Sequence, residues 1–150
     1  MKNVAVNKTV THDYIILETL EAGLALVGSE VKSVRAGRVS LKESYAEVRG
    51  GEVFLVKCHI SPYEAANIFN HDPLRERKLL LHRREIKRLT GKTQERGLTI
   101  VPMRVFLGDR GKIKLEIALA RGKREHEKRE AIKKRDTDRE IRAALKNRSR

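Results

Sequence analysis

Tryptophan is absent from this 150-residue chain, and tyrosine and phenylalanine occur three times each. Proteins that grip single-stranded nucleic acid stack bases on aromatic rings, each worth roughly 1–3 kcal/mol per base. With aromatics at 4% (Tyr14, Tyr45, Tyr63, Phe54, Phe69, Phe106), too few rings are free for that work once a core takes its share. Cysteine occurs once, at Cys58, so an internal disulfide is excluded and a reducing, cytoplasmic setting is expected. Inside the apolar run 53–60 this residue reads as a small core side chain rather than a nucleophile. No apolar run approaches the ~20 residues of a spanning helix, and MKNVAVNKT lacks the apolar stretch of a signal peptide. No membrane association is expected.

The chemistry-bearing clusters of an enzyme are also missing. His12, His59, His71, His82 and His126 are scattered without metal-ligand spacing. Gly28-Ser29 reads as a helix entry and not a phosphate loop. Carboxylates are interleaved with Lys and Arg, so no acidic cluster gathers a divalent ion for nuclease chemistry. Neither a cofactor, a metal nor a catalytic residue is indicated.

What the chain has in excess is positive charge. Thirty-four Lys and Arg face twenty Asp and Glu, a net +14 with an isoelectric point near 10.3. That imbalance points to a polyanionic partner. Residues 121–150 hold 13 Lys and Arg against 6 Asp and Glu, with no proline and a single glycine, Gly122. The segment is rich in helix formers but has almost nothing to bury. Ile132 and Ile141 are nine residues apart and fall on opposite helix faces, so only Ile141 and Leu145 share a side. Such a tail is expected to be disordered or frayed alone and helical against a charged partner. Glu125–Arg129, Glu130–Lys134 and Asp138–Arg142 add i,i+4 support for that helix.

Three parts follow: a flexible N-terminus over 1–9, a body over 10–120 and a basic tail over 121–150. In the body, strand-like runs at 14–17 and 24–27 flank a turn at Glu21-Ala22-Gly23. Ser29 reads as the N-cap of a short helix 30–36, with Val31 and Val34 facing inward. The runs 41–48 and 52–58 form a hairpin about Gly50-Gly51, and a long loop spans 61–73. Leu79-Leu80-Leu81 is read as a short strand leading into a helix 82–90, which Gly91 ends. A last hairpin pairs 98–107 with the run from Ile113 to Leu119, and Pro102 suggests an edge or a bulge. The expected fold is mainly β with short helices, an OB-like, partly open antiparallel barrel; an α+β sandwich is the alternative. Poor in aromatics, such a body should read a folded RNA by shape, phosphate and 2′-OH contacts.

The order and spacing of several motifs resemble the SsrA-binding protein family (small protein B, SmpB), the partner of tmRNA in bacterial trans-translation. They are Asn7-Lys8, Glu21-Ala22-Gly23-Leu24-Ala25-Leu26, Gly28 through Gly37 (GSEVKSVRAG), and Ser44-Tyr45. Further on come Asn70-His71-Asp72-Pro73, Arg77 through His82 (RKLLLH), Ala120 through Arg124 (ARGKR) and Lys128-Arg129. The resemblance implies an OB-like barrel with a tail unstructured in the free protein. It implies binding to the tRNA-like domain of tmRNA and delivery into the vacant A site of a stalled ribosome, with the tail becoming helical in the empty mRNA channel near the decoding centre. Elongation factor Tu is implied indirectly, through alanyl-tmRNA, and the protein is expected to be a monomer when bound to RNA. The implied tmRNA contacts are Asn7, Glu21, Leu80 and His82, with Lys8, Lys32, Arg35, Lys78 and Arg83 on phosphates. The implied ribosome-facing tail residues are Lys123, Arg124, His126, Glu127, Lys128, Arg129, Lys133, Lys134 and Arg135. Two departures stand out: Glu127 replaces the family's Asp before Lys-Arg, and Thr137 stands where some members carry Trp. Composition alone fits equally a ribosomal or ribosome-assembly protein that binds rRNA through its tail.

Overall fold

The computed structural model describes residues 2–64, 70–123 and 125–148. In chain order the elements are β1 (Lys2–Val6), α1 (Val10–Asp13), β2 (Tyr14–Leu24), α2 (Gly28–Arg35), β3 (Val39–Ser40), β4 (Tyr45–Arg49) and β5 (Glu52–Val56). They continue with β6 (His59–Ile60), β7 (Arg77–Leu80), α3 (Arg83–Thr93), β8 (Leu98–Leu107), β9 (Ile113–Gly122) and α4 (Glu125–Arg148). Asn67 and Phe69, in the long loop, lie outside the described residues.

Hydrogen-bonded neighbours run β8–β4–β5–β7–β2–β9 and back to β8, so the strands form an antiparallel ring. Two seams of the ring are thin. β4 meets β8 only at Ala46↔Ile100, and β2 meets β7 only at Gly23↔Leu80 and Leu24↔Leu79. The result is the expected OB-like, partly open barrel. β1 occupies the remainder of the same β8 edge, from Lys2↔Leu107 to Val6↔Arg104. Residues 2–6, which read as part of a loose N-terminus, are therefore held by a ladder that β4 is too short to fill.

Strand alternation sends Leu79, Val53, Leu55, Ile100, Val105, Leu115 and Ile117 into one core beneath α2 and α3, which add Val34 and Leu89. β9 is buried on both faces in its second half: Ala118 and Ala120 pack with Val101 under Val10 of α1. Lys114 and Glu116 therefore give β9 a charged outer face only in its first half, because α1 covers the rest.

The hairpin turn at Gly50-Gly51 stands as read, with φ of 56° and 77° that side chains tolerate poorly. The β8–β9 hairpin also stands, and its register slips between Pro102 and Arg104, the bulge that Pro102 suggested. Other readings change. Glu21-Ala22-Gly23 is no turn, since β2 runs straight through it for 11 residues. The α2 N-cap is Val27, not Ser29: the Glu30 carboxylate accepts from the Val27 N–H at 2.9 Å and closes the first turn. α3 passes Gly91 and ends at Thr93, where the Thr90 and Thr93 hydroxyls donate to the carbonyls of Ile86 and Leu89. The tail is helical as α4, with the described side chains from Arg135 to Leu145 all exposed.

Candidate RNA-binding face

β7, β2 and β9 set three residues side by side on the outside of the barrel: Leu80, Gly23 and Lys114 are cross-strand partners in one row. Cross-strand partners point to the same face of a sheet. Glu21, two residues before Gly23, shares that face and is exposed.

Where β7 ends, the chain turns into α3 through His82. The His82 N–H donates to Glu85 Oε1 at 3.0 Å and the Glu85 N–H to the His82 carbonyl at 3.0 Å, which fixes the entry of the helix. An open groove results, lined by Glu21, Lys78, Leu80, His82, Arg83, Lys87 and Lys114. Lys78 is steadied by Glu52 at 2.8 Å. Cations outnumber carboxylates along the groove, and the N-terminus of α3 adds its positive end, which suits phosphate. A second groove lies on the far side of Leu80, lined by Leu24, Val31, Arg35, Lys112 and Lys114. There Arg35 Nη2 donates to the Gly111 carbonyl at 3.2 Å, tying α2 to the β8–β9 turn.

Of the residues singled out from sequence, Glu21, Lys78, Leu80, His82 and Arg83 thus converge on one groove, and Arg35 on its neighbour. Lys32 lies apart, with its ammonium 5.4 Å from the centroid of the Tyr63 ring. Asn7 and Lys8 line a different cleft, with Lys42, Ser44, Tyr45 and Thr99. The Asn7 side chain donates to the Pro102 carbonyl at 3.0 Å and its N–H to the Met103 carbonyl at 2.8 Å, so it braces the β8 bulge. Sequence reasoning left Lys114 and Lys87 out of the RNA contacts, although it placed Lys87 with Arg83, Arg84 and Arg88 on an outward basic face of the helix. The only signal for Lys114 was the Lys-Glu alternation of β9, which reads equally as a solvated strand face.

Behind the groove sits a buried ion network. Arg77 Nε donates to Glu30 Oε2 at 2.5 Å, and Arg75 Nη2 donates to Glu30 Oε1 at 2.5 Å. Arg77 also donates to the carbonyls of Cys58, Pro73 and Asp72. Burial opposes ionisation of Glu30. The hydrogen bonds from Arg75, the Val27 N–H and Arg77, with the Arg77 charge, outweigh it and hold the carboxyl below the usual range. Burial pushes the Cys58 thiol up to about 11, which leaves it a core residue. Asn70 closes the long loop by bonding both the N–H and the carbonyl of Tyr63, and His71 bridges Ser29 and the Ile60 carbonyl. The Asn70-His71-Asp72-Pro73 motif is thereby spent on bracing.

The Lys123 N–H donates to the Asp13 carbonyl at 2.8 Å and its ammonium to the Thr11 carbonyl at 2.9 Å. Arg129, Lys133 and Arg135 are exposed on α4. Arg124 lies outside the described residues, as do the side chains of His126, Glu127, Lys128 and Lys134. Among the described residues, no group of three or more His, Cys, Asp or Glu is placed to hold a metal ion. Nor is any helix among them long and apolar enough to cross a membrane.

The family model described as SmpB protein matches residues 4–147. The SsrA-binding protein of Symbiobacterium thermophilum is 56% identical over 145 residues, covering 97% of this chain and 92% of its own. That of Enterococcus faecalis is 52% identical over 146 residues, covering 97% and 94%. A solved structure described as "tmRNA-SmpB: a journey to the center of the bacterial ribosome" is 48% identical, with a TM-score of 0.67 over 85% of this chain and 92% of that one.

Proposed function

The chain belongs to the SmpB protein family, and on that premise we propose that it binds tmRNA and accompanies it to stalled ribosomes. The barrel takes the tRNA-like domain of tmRNA on the face that carries Leu80. The pair enters the vacant A site, and α4 reaches the empty mRNA channel, with rRNA as its partner. Elongation factor Tu joins through the alanyl-tmRNA. The role is binding and delivery, without a chemical step performed by the protein, and its setting is the cytoplasm.

The observation that carries this reading is the span of the family match, 4–147, which takes in barrel and tail together. A chain that shared only the barrel would support RNA binding and nothing of the tail. The groove supplies the matching chemistry. Lys78, Arg83, Lys87 and Lys114 can meet phosphates, while Glu21 can only accept, from 2′-OH groups or base amines. One exposed leucine in such a setting gives an apolar contact to a sugar or base.

A salt titration with the full chain tests it, against the tRNA-like domain of tmRNA, an ordinary tRNA and an unrelated hairpin. A preference for the tmRNA domain that persists as salt rises is expected, because shape recognition outlasts counterion release. Equal binding of all three, lost together with salt, would mark a general rRNA-binding protein instead.

A further inference from the structure

We propose that Gly23 is a positioning residue of the RNA-binding face: its missing side chain leaves a notch in which Leu80 lies as a ridge between two grooves. This rests on the RNA-binding reading above. A Cβ at position 23 would stand 3.1 Å from Leu80 Cβ, inside ordinary carbon–carbon contact, and 3.4 Å from Leu80 Cδ1, at its near edge. Backbone conformation does not call for glycine there, since Gly23 is not among the positive-φ glycines. A glycine within a strand, here one residue from the end of β2, weakens it without such a demand. Space is the remaining reason for it, and Leu80 is what uses the space.

The consequence is visible on both sides. Leu80 and Lys114, the two cross-strand partners of Gly23, are the residues common to the two grooves. Leu80 leans into the gap yet stays 52% exposed. A nucleotide crossing this ridge would set its ribose or base face on the Leu80 methyls. Its flanking phosphates would fall to Lys78, Arg83 and Lys87 on one side and to Arg35 and Lys112 on the other, with Lys114 within reach of both. A methyl at position 23 lifts the ridge and spoils its fit to both grooves at once, while removing no charge.

The experiment is a double-mutant cycle in the full chain with Gly23→Ala, Leu80→Ala and the pair. Three quantities are read: the thermal midpoint, affinity for the tRNA-like domain of tmRNA with its salt slope, and the Leu80 methyl resonances of the free protein. Gly23→Ala is expected to keep the midpoint at or above that of the parent, shift the Leu80 methyls and weaken binding about tenfold. The salt slope should stay unchanged, because no phosphate contact is lost. In the Leu80→Ala background, Gly23→Ala should cost almost nothing more. A Gly23→Ala chain that unfolds early but is restored by Leu80→Gly, which removes the Leu80 Cβ as well, would equally report the close approach. Unmoved methyls, parent-like binding, a full additional loss in the double variant, or early unfolding without rescue would each overturn the proposal. A parent chain with no preference for tmRNA overturns the proposed function instead. The methyl shifts then decide the notch by themselves.

Discussion

Glu30 and Arg77 meet inside the protein with neither side chain exposed, 2.5 Å apart and 47 residues apart in sequence. Taking both charges out of water costs several kcal/mol per ion, so the pair is stable only because its remaining valences are filled. They are: Val27 N–H and Arg75 complete Glu30, and the carbonyls of Cys58, Pro73 and Asp72 complete Arg77. The network joins the start of α2 to β7, the strand that ends at Leu80. Deleting either partner strands the other charge. Glu30→Ala and Arg77→Ala are each expected to cost about 3–5 kcal/mol in urea unfolding. A loss under 1 kcal/mol would mean that water or a neighbour replaces the missing group.

The same carboxylate gives stability a pH dependence in acid. Its folded pKa lies below the ordinary glutamate value of about 4.3. Between the two values the unfolded chain holds a proton that the folded chain does not. Stability from Glu30 is therefore complete above the ordinary value and is lost as pH falls through the folded one. Urea midpoints measured from neutral pH down into the acid range should decline there, and Glu30→Gln should make the decline shallower. An unchanged slope in the Gln variant would assign the acid sensitivity to other carboxylates.

Cys58 should be silent to thiol reagents in the native state. It is 1% exposed and its thiol is raised to about 11, so at pH 8 the thiolate is scarce and out of reach. Ellman's reagent is expected to leave the folded protein untouched and to react with one equivalent in denaturant. Rapid reaction of the native chain would show that the barrel opens locally at β5–β6.

Much of the barrel was legible because its cues are local. Gly50-Gly51 between two apolar runs, and the alternation from Leu98 to Leu119, specify hairpins without help from the rest of the chain. Gly23 was misread for a related reason: glycine marks both turns and close approaches, and only the partner strand decides which. That partner, Leu80, lies far along the sequence. The Glu30–Arg77 pair was invisible for the same cause, since each residue reads locally as an ordinary surface charge. The motif positions Glu21, Lys78, Leu80, His82 and Arg83 did meet in one groove. Lys114 was lost among alternating charges on β9, and Asn7 turned out to spend its amide on the Pro102 carbonyl.

Lys123 and the residues of α4 should separate in a salt titration against ribosomes. Both of the Lys123 bonds go to carbonyls of the α1 segment, so its charge is held beside the barrel, with one of the ammonium's three N–H donors used. Arg129, Lys133 and Arg135 stand exposed on the helix. Counterion release predicts that each phosphate contact removed lowers the log–log salt slope by about 0.7–0.9. Arg129→Ala, Lys133→Ala and Arg135→Ala are each expected to produce a drop of that order wherever the side chain meets a phosphate. Lys123→Met should leave the slope alone and instead speed hydrogen exchange at its own amide, as the start of the tail comes loose from α1. An equal fall in slope for Lys123→Met, with exchange unchanged, would place its ammonium on a phosphate, as the family resemblance implies.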